Sequence, residues 1–266
     1  MIDGNKRAVQ ERVTGLKENR RKYMGELIAQ KRSMTMEELQ NYFQVSMNTI
    51  RADVAYLVST GAVQKVYGGV QAVDQKQAPL FTSRIKIRTE QKQRIAARAQ
   101  QLIEDGDIIF VDAGTTTMYL IDQLDMRKHV TIVTANLSVI QKAYDYENIE
   151  LIVLPGTINR RTNSISDACA LEFLGRYQFN KAFLGVTNVS EDGRLNTSTY
   201  IEYEIKRNAL KQSRQAFLLV DSAKFGAVEL MSYGRLDDMQ AIITDPECPE
   251  FVRHYCAERD IPIIWA

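Results

Sequence analysis

Residues 45–70, VSMNTIRADVAYLVSTGAVQKVYGGV, decide how the N-terminal part of the chain folds. Ser46 is a strong helix N-cap, because its hydroxyl accepts a hydrogen bond from an otherwise unpaired amide of the first turn. Ile50, Val54, Leu57 and Val58 then recur at helical spacing, which predicts a helix with one apolar face, and Gly61 ends it as a left-handed cap. Past the glycine, AVQKVYGGV alternates like a short β-ribbon, with Lys65 and Tyr67 on its outer side and a break at Gly68-Gly69.

Toward the N-terminus the same punctuation repeats. Gln44-Val45-Ser46 makes a tight turn, and before it Thr35 stands three residues ahead of Glu38, a capping box that opens a short helix carrying the apolar pair Leu39 and Phe43. Earlier still, Met24, Leu27 and Ile28 mark a first helix from about Arg20 to Lys31, ended at Ser33-Met34. Packing Ile50, Val54 and Leu57 against Leu39, Phe43 and that first helix turns Ser46, Met47, Asn48, Thr49 and Arg51 outward at the start of the third helix. These side chains suit a DNA major groove: asparagine pairs with an adenine edge, arginine with guanine or phosphate, threonine with phosphate or a thymine methyl. Lys65 and Tyr67 make the ribbon a wing. Spacing alone leaves open a helical subdomain that never meets DNA.

The stretch as a whole resembles the DNA-binding signature of the DeoR family of bacterial sugar-operon regulators: Val-Ser, Thr-Ile-Arg, an Asp two residues on, a Gly at the helix end and a Gly-Gly wing occur in that order. It departs at Ala52, where the family usually has a second arginine, and at Val54, where leucine is usual.

Charge divides the chain in the same place. Residues 1–78 hold 12 Lys and Arg against 8 Asp and Glu, whereas residues 79–266 hold 22 against 25. A basic surplus on the smaller part is the footprint expected of a phosphate-backbone contact. Lys6, Arg7, Arg12 and Lys17 put a basic extension at 1–19, followed by a winged helix-turn-helix at 20–73, a polar linker at 74–89 and a larger domain at 90–266. With 45% hydrophobic residues, no apolar run long enough to span a bilayer and no signal-peptide pattern, a cytoplasmic globular protein is expected. Cys169, Cys248 and Cys256 are widely spaced and not grouped with His129 or His254, so neither a disulfide framework nor a metal site is expected.

In the larger domain, short apolar runs at 108–112, 130–134, 150–154, 181–185, 214–221, 239–244 and 261–265 are mostly separated by helical stretches, among them 90–103, 118–124, 138–144 and 249–258. That alternation predicts an α/β fold with a doubly wound, mostly parallel sheet, whose ligands bind at the carboxyl ends of the strands. Residues 108–124, IIFVDAGTTTMYLIDQL, are the strongest chemical signal there. A strand ends in Asp112, Gly114 lets backbone approach closely, and Thr115, Thr116 and Thr117 add hydroxyl donors where the next helix begins, a seat for an anion. The plain alternative is threonine merely capping a helix. No Walker lysine and no G-x-G-x-x-G follow a strand, so no nucleotide cofactor is expected. Asn136, Asp221 and Lys224 also fall at strand ends, and Glu202 and Lys206 lie one helical turn apart, either converging on the site or forming an exposed ion pair.

This half resembles the DeoR family as well: DAGTTT, TAN, IEYEIKR and LLVDSAKFG match its motifs in order, and the family's sensor domain is similar in fold to ribose-5-phosphate isomerase and CoA transferases. The resemblance implies a sugar phosphate on Gly114–Thr117, with Asp112, Asn136, Lys206 and Lys224 around the sugar. Pro155-Gly156, Asp167 and Thr187-Asn188 depart from the family pattern and bear on which effector is bound. The function so implied is repression of a carbohydrate operon, with operator DNA and a phosphorylated sugar as partners and a homo-oligomer matching paired half-sites. The competing reading is a sugar-phosphate isomerase or deaminase using Asp112, Glu202 and Lys206 as acid–base groups. An activator or RNA binder is weaker still, because a recognition helix fits the DNA major groove and not the narrow RNA one.

Overall fold

The computed structural model describes residues 17–31, 33–59, 63–66, 68–72, 80–227 and 231–266. The Gly61 cap, Tyr67, residues 1–16 and the linker up to residue 79 lie outside the described residues. The chain divides into two compact units, Met1–Pro79 and Leu80–Ala266.

In the first unit, α1 (Lys17–Lys31) is followed by β1 (Ser33–Thr35), α2 (Met36–Phe43), α3 (Met47–Ser59), β2 (Val63–Val66) and β3 (Gly69–Ala72). The capping box forms as the spacing predicts: Glu38 N donates to Thr35 Oγ1 at 3.1 Å, and Thr35 N donates to Glu38 Oε2 at 2.7 Å. Gln44 closes α2 in the left-handed region at φ 53°, and Ser46 Oγ accepts from Thr49 N at 3.2 Å to start α3. Met24, Leu27, Ile28, Leu39, Phe43, Ile50, Val54 and Leu57 form one core with Met34, Val63 and Val70. β1 was not expected. It pairs antiparallel with β3, giving a three-stranded sheet of order β1-β3-β2. Gly69 is required there, because a Cβ would stand 2.4 Å from the Met34 carbonyl oxygen.

The second unit begins with α4 (Phe81–Ile85) and α5 (Thr89–Gln100). Residues 80–89 were expected in the linker, but Phe81 is buried and its amide donates to the Arg161 carbonyl at 2.8 Å, so this segment belongs to the folded unit. Then come β4 (Ile108–Val111), a 3-10 helix (Thr117–Gln123), β5 (Val130–Thr134), α6 (Leu137–Ala143), β6 (Ile149–Val153), β7 (Thr157–Asn159), β8 (Ser164–Ser166) and α7 (Ala168–Leu174). The remainder is β9 (Phe179–Leu184), β10 (Asn188–Val189), β11 (Arg194–Thr197), α8 (Tyr200–Gln212), β12 (Ser213–Leu219), a 3-10 turn (Ser222–Lys224), β13 (Met231–Arg235), β14 (Ala241–Thr244), α9 (Glu250–Ala257) and β15 (Ile263–Trp265).

All seven apolar runs become strands of one sheet, order β15-β14-β12-β9-β4-β5-β6, and every pairing in it is parallel. Strand residues alternate between two cores. Phe110, Ala182, Leu184, Ala216, Leu218 and Ile242 face α7, α8 and α9, while Ile109, Val111, Phe183, Phe217, Leu219 and Ile243 face α5, α6 and the 3-10 helix. Burial on both faces is why the strands read as unbroken apolar runs. The strand order reverses between β4 and β9, which opens a crevice at their carboxyl ends. Two small antiparallel pieces, the hairpin β7-β8 and the sheet β10-β11-β13, add to this frame. The stretch 118–124 was expected to be helical, and a 3-10 helix forms there over Thr117–Gln123, with Tyr119 N donating to the Thr116 carbonyl at 3.2 Å.

Candidate functional site

In the first unit, α3 exposes Asn48 and Arg51 to solvent, with Met47 and Thr49 half-buried and Ser46 exposed at the cap. Thr49 Oγ1 also pairs with Ser46 Oγ at 2.8 Å, so both hydroxyls are engaged in the cap. Lys65 is exposed on β2. One feature of this surface escaped sequence reasoning. Asp53, only 1% exposed, receives Arg20 Nε at 2.6 Å and Arg21 Nε at 2.8 Å, clamping α1 against α3. Its partners lie 33 and 32 residues away, beyond the reach of any local pattern.

In the second unit the crevice between β4 and β9 holds the DAGTTT loop. Asp112 Oδ2 accepts from Gly185 N at 2.9 Å and from the Lys206 ammonium, so the carboxylate ties the ends of both strands to α8. Lys206 also donates to the Gly185 carbonyl at 3.0 Å, and its ammonium lies 5.4 Å from the centroid of the Tyr233 ring. Tyr233 donates to that same carbonyl at 2.9 Å, and burial raises its pKa well above the usual tyrosine value. Thr117 Oγ1 donates toward the carbonyls of Asp112 (2.7 Å) and Gly114 (3.1 Å) and accepts from Gly114 N at 3.1 Å. Asn136 Nδ2 donates to the same two carbonyls at 3.1 Å, while its Oδ1 caps α6 through Ser138 N at 3.0 Å.

A part-enclosed pocket opens above this loop, lined by Arg84, Gly114, Thr115, Thr116, Gly185, Val186, Leu219, Val220, Asp221 and Lys224. Four residues grouped with the effector contacts from the sequence, Asp112, Thr117, Asn136 and Lys206, do not line it. Their side chains instead make hydrogen bonds that hold the loop. Gly114, Thr115, Thr116 and Lys224 do line it. Glu202 and Lys206 are not an exposed ion pair: Lys206 is buried on Asp112, and Glu202 accepts from Thr197 Oγ1 at 3.1 Å.

Arg84 is the residue the sequence did not flag. Its Nε is buried without a hydrogen-bond partner. Burial lowers its pKa, with Glu202 and Asp112 opposing that effect. Lys92, 2% exposed, supports it from α5, donating to the Arg84 carbonyl at 2.5 Å and the Ile87 carbonyl at 2.7 Å. Burial, with Lys224, Arg84 and Arg88 adding to it against Asp221, pushes the Lys92 ammonium down to about 8. Arg88, left-handed at φ 53°, joins Ser222 (2.8 Å), Asp245 (3.2 Å) and Glu247 (2.9 Å) and so fixes the loop that carries Lys224. The pocket is therefore rimmed by cations, one of them short of an acceptor.

Among the described residues, no group of three or more His, Cys, Asp or Glu is placed to hold a metal ion, and no helix is long and apolar enough to cross a membrane. Burial pushes the Cys248 thiol up to about 12 and Cys256 up to about 11, which keeps both as unreactive thiols at neutral pH.

A winged helix-turn-helix and a doubly wound α/β unit with a cation-rimmed pocket define a DNA-binding regulator with a sensor domain. The chain belongs to the DeoR family of transcriptional regulators: residues 20–76 match the DeoR-like helix-turn-helix domain and residues 87–246 the DeoR C terminal sensor domain. It is similar to the HTH-type transcriptional regulator IolR of Bacillus subtilis, at 35% identity over 90% of this chain and 96% of that protein. It is also similar to the glycerol-3-phosphate regulon repressor of Escherichia coli, at 29% identity over 90% and 94%. Among solved structures, ribose 5-phosphate isomerase A from Methanocaldococcus jannaschii is similar at 20% identity over 52% of this chain and 54% of its own, with a TM-score of 0.39. The initiation factor eIF-2B of Pyrococcus horikoshii OT3 is similar at 14% identity over 84% and 81%, with a TM-score of 0.46. Neither structural likeness carries a function. Family membership makes the chain a transcriptional regulator and not an isomerase or deaminase.

Proposed function

We propose that this regulator represses a carbohydrate-utilisation operon in the cytoplasm, binding its operator as a homo-oligomer and releasing it when a phosphorylated sugar occupies the sensor pocket. Asn48 and Arg51, with Met47 and Thr49 beside them, read base edges, while Ser46 and Lys65 approach the backbone. The effector's phosphate lies against Gly114, Thr115 and Thr116, between Arg84 and Lys224. Asp112, Thr117, Asn136 and Lys206 keep that seat in shape. The observation that carries this reading is the cation-rimmed pocket at the strand-order reversal, on a chain that also bears the DNA-binding unit. A ligand there changes DNA affinity only by binding the two conformational states unequally.

Selection of genomic fragments on the immobilised full chain tests the first half. The expected result is enrichment of a few duplexes with repeated half-sites, followed by their specific elution with one or more sugar phosphates. Enrichment of no sequence over another, or elution by no sugar phosphate at matched ionic strength, contradicts it.

A further inference from the structure

Position 52, next to Arg51 on α3, is alanine and carries no charge. A cation from α1 packs against the neighbouring residues. Arg21 reaches across from α1, its Nε donating to Asp53 Oδ1 at 2.8 Å and its guanidinium 4.1 Å over the ring of Tyr56. Tyr56 lies one helical turn beyond Ala52, so both occupy one side of α3, and both are exposed. The terminal nitrogens of Arg21 make no hydrogen bond among the described residues, and the side chain keeps 15% of its surface exposed. Asp53, held by Arg20 as well, cancels only one of the two positive charges.

We propose that Arg21 makes a DNA phosphate contact on the Ala52 and Tyr56 side of α3. The inference rests on reading α3 as the DNA-reading helix. Asp53 fixes the inner edge of the guanidinium and Tyr56 one of its faces, leaving the outer nitrogens for a phosphodiester. Such a side chain is ordered before DNA arrives and loses little freedom on binding. Arginine's planar fork suits phosphate oxygens better than a lysine point charge. The contact reads charge and position, not sequence.

The test is a salt titration of the full chain on a short random-sequence duplex, comparing the wild type with Arg21→Gln, which keeps an amide donor for Asp53. Losing one phosphate contact makes the slope of log affinity against log salt shallower by about one, and lowers affinity about tenfold at roughly 0.1 M salt. Ala52→Arg placed in the Arg21→Gln chain is expected to restore the wild-type slope. Should Arg21→Gln melt below the assay temperature, Tyr56→Leu, which removes the stacking surface and spares the Asp53 pair, is expected to weaken binding without altering sequence preference. A wild-type slope in Arg21→Gln, or a changed preference among sequences, overturns the proposal. A wild-type chain that ignores duplex DNA instead overturns the reading of α3.

Discussion

Replacing Arg84 by methionine should move stability and ligand response in opposite directions. In the unliganded unit the guanidinium is a burden: Nε is buried with no acceptor, and burial disfavours the charge. A buried donor left unsatisfied costs about 1–3 kcal/mol, so methionine, which keeps the apolar stem near the Phe81 ring, is expected to stabilise the unit by up to that amount. For a unit of this size, each kcal/mol moves Tm by about 2–4 °C, so a rise of several degrees should be visible. With effector bound the sign reverses. Removing a charge-assisted hydrogen bond loses about 1.5–3 kcal/mol, roughly a 10- to 150-fold loss in affinity. The assay is thermal melting of the full chain with and without a panel of sugar phosphates, because a ligand bound only by the folded form raises Tm. A lower Tm for the unliganded variant, combined with an undiminished ligand shift, would show that Arg84 is a packing residue and refute the reasoning.

Three further outcomes follow from the same geometry. Thr116→Val is expected to abolish the effector response at nearly unchanged Tm, whereas Thr117→Val, which strips the bonds to Gly114 N and the Asp112 carbonyl, should cost about 1–3 kcal/mol in stability; equal effects in a melting series would contradict the division between contact and scaffold. Lys92, pushed down to about 8 from an ordinary 10.5, binds fewer protons folded than unfolded between those values, so its contribution makes stability rise with pH across that window. Denaturant titrations from pH 7.5 to 10 check this; Lys92→Met should flatten the rise, and a slope identical in both chains would discard it. Arg51→Ala should weaken operator binding by about 1–3 kcal/mol and relax specificity at one base position, which a salt-controlled titration measures; unchanged affinity removes Arg51 from the reading set.

Much of this architecture is legible in the chain because it is written locally. The strands of the large sheet are buried on both faces, so Ile108–Val111 and its neighbours stand out as apolar runs. The caps at Thr35 and Ser46 are legible for the same reason, since donor and acceptor lie three residues apart. What stays hidden depends on distant partners. Ser33–Thr35 is too short and polar to show a strand period and becomes one only by pairing with the wing. β11 and β13 sit in stretches without apolar runs and are held by each other. Asp112 and Lys206 are 94 residues apart, so their pairing is invisible along the chain, and Lys206 reads instead as a neighbour of Glu202. The 3-10 geometry after the threonines comes with Thr117 turning its hydroxyl back onto the loop carbonyls, a choice that an amphipathic pattern does not encode. Arg84 looks like an ordinary solvated arginine until the fold places it beside Gly114 and Lys224.

The most direct measurement is fluorescence anisotropy of a selected operator duplex with the full chain at fixed ionic strength, titrated with sugar phosphates and with the same sugars lacking phosphate. The account predicts tight, sequence-dependent binding that at least one phosphorylated sugar releases and its unphosphorylated counterpart does not. Binding that no phosphorylated metabolite alters, or that the bare sugar releases equally well, would contradict a sensor built around an anion.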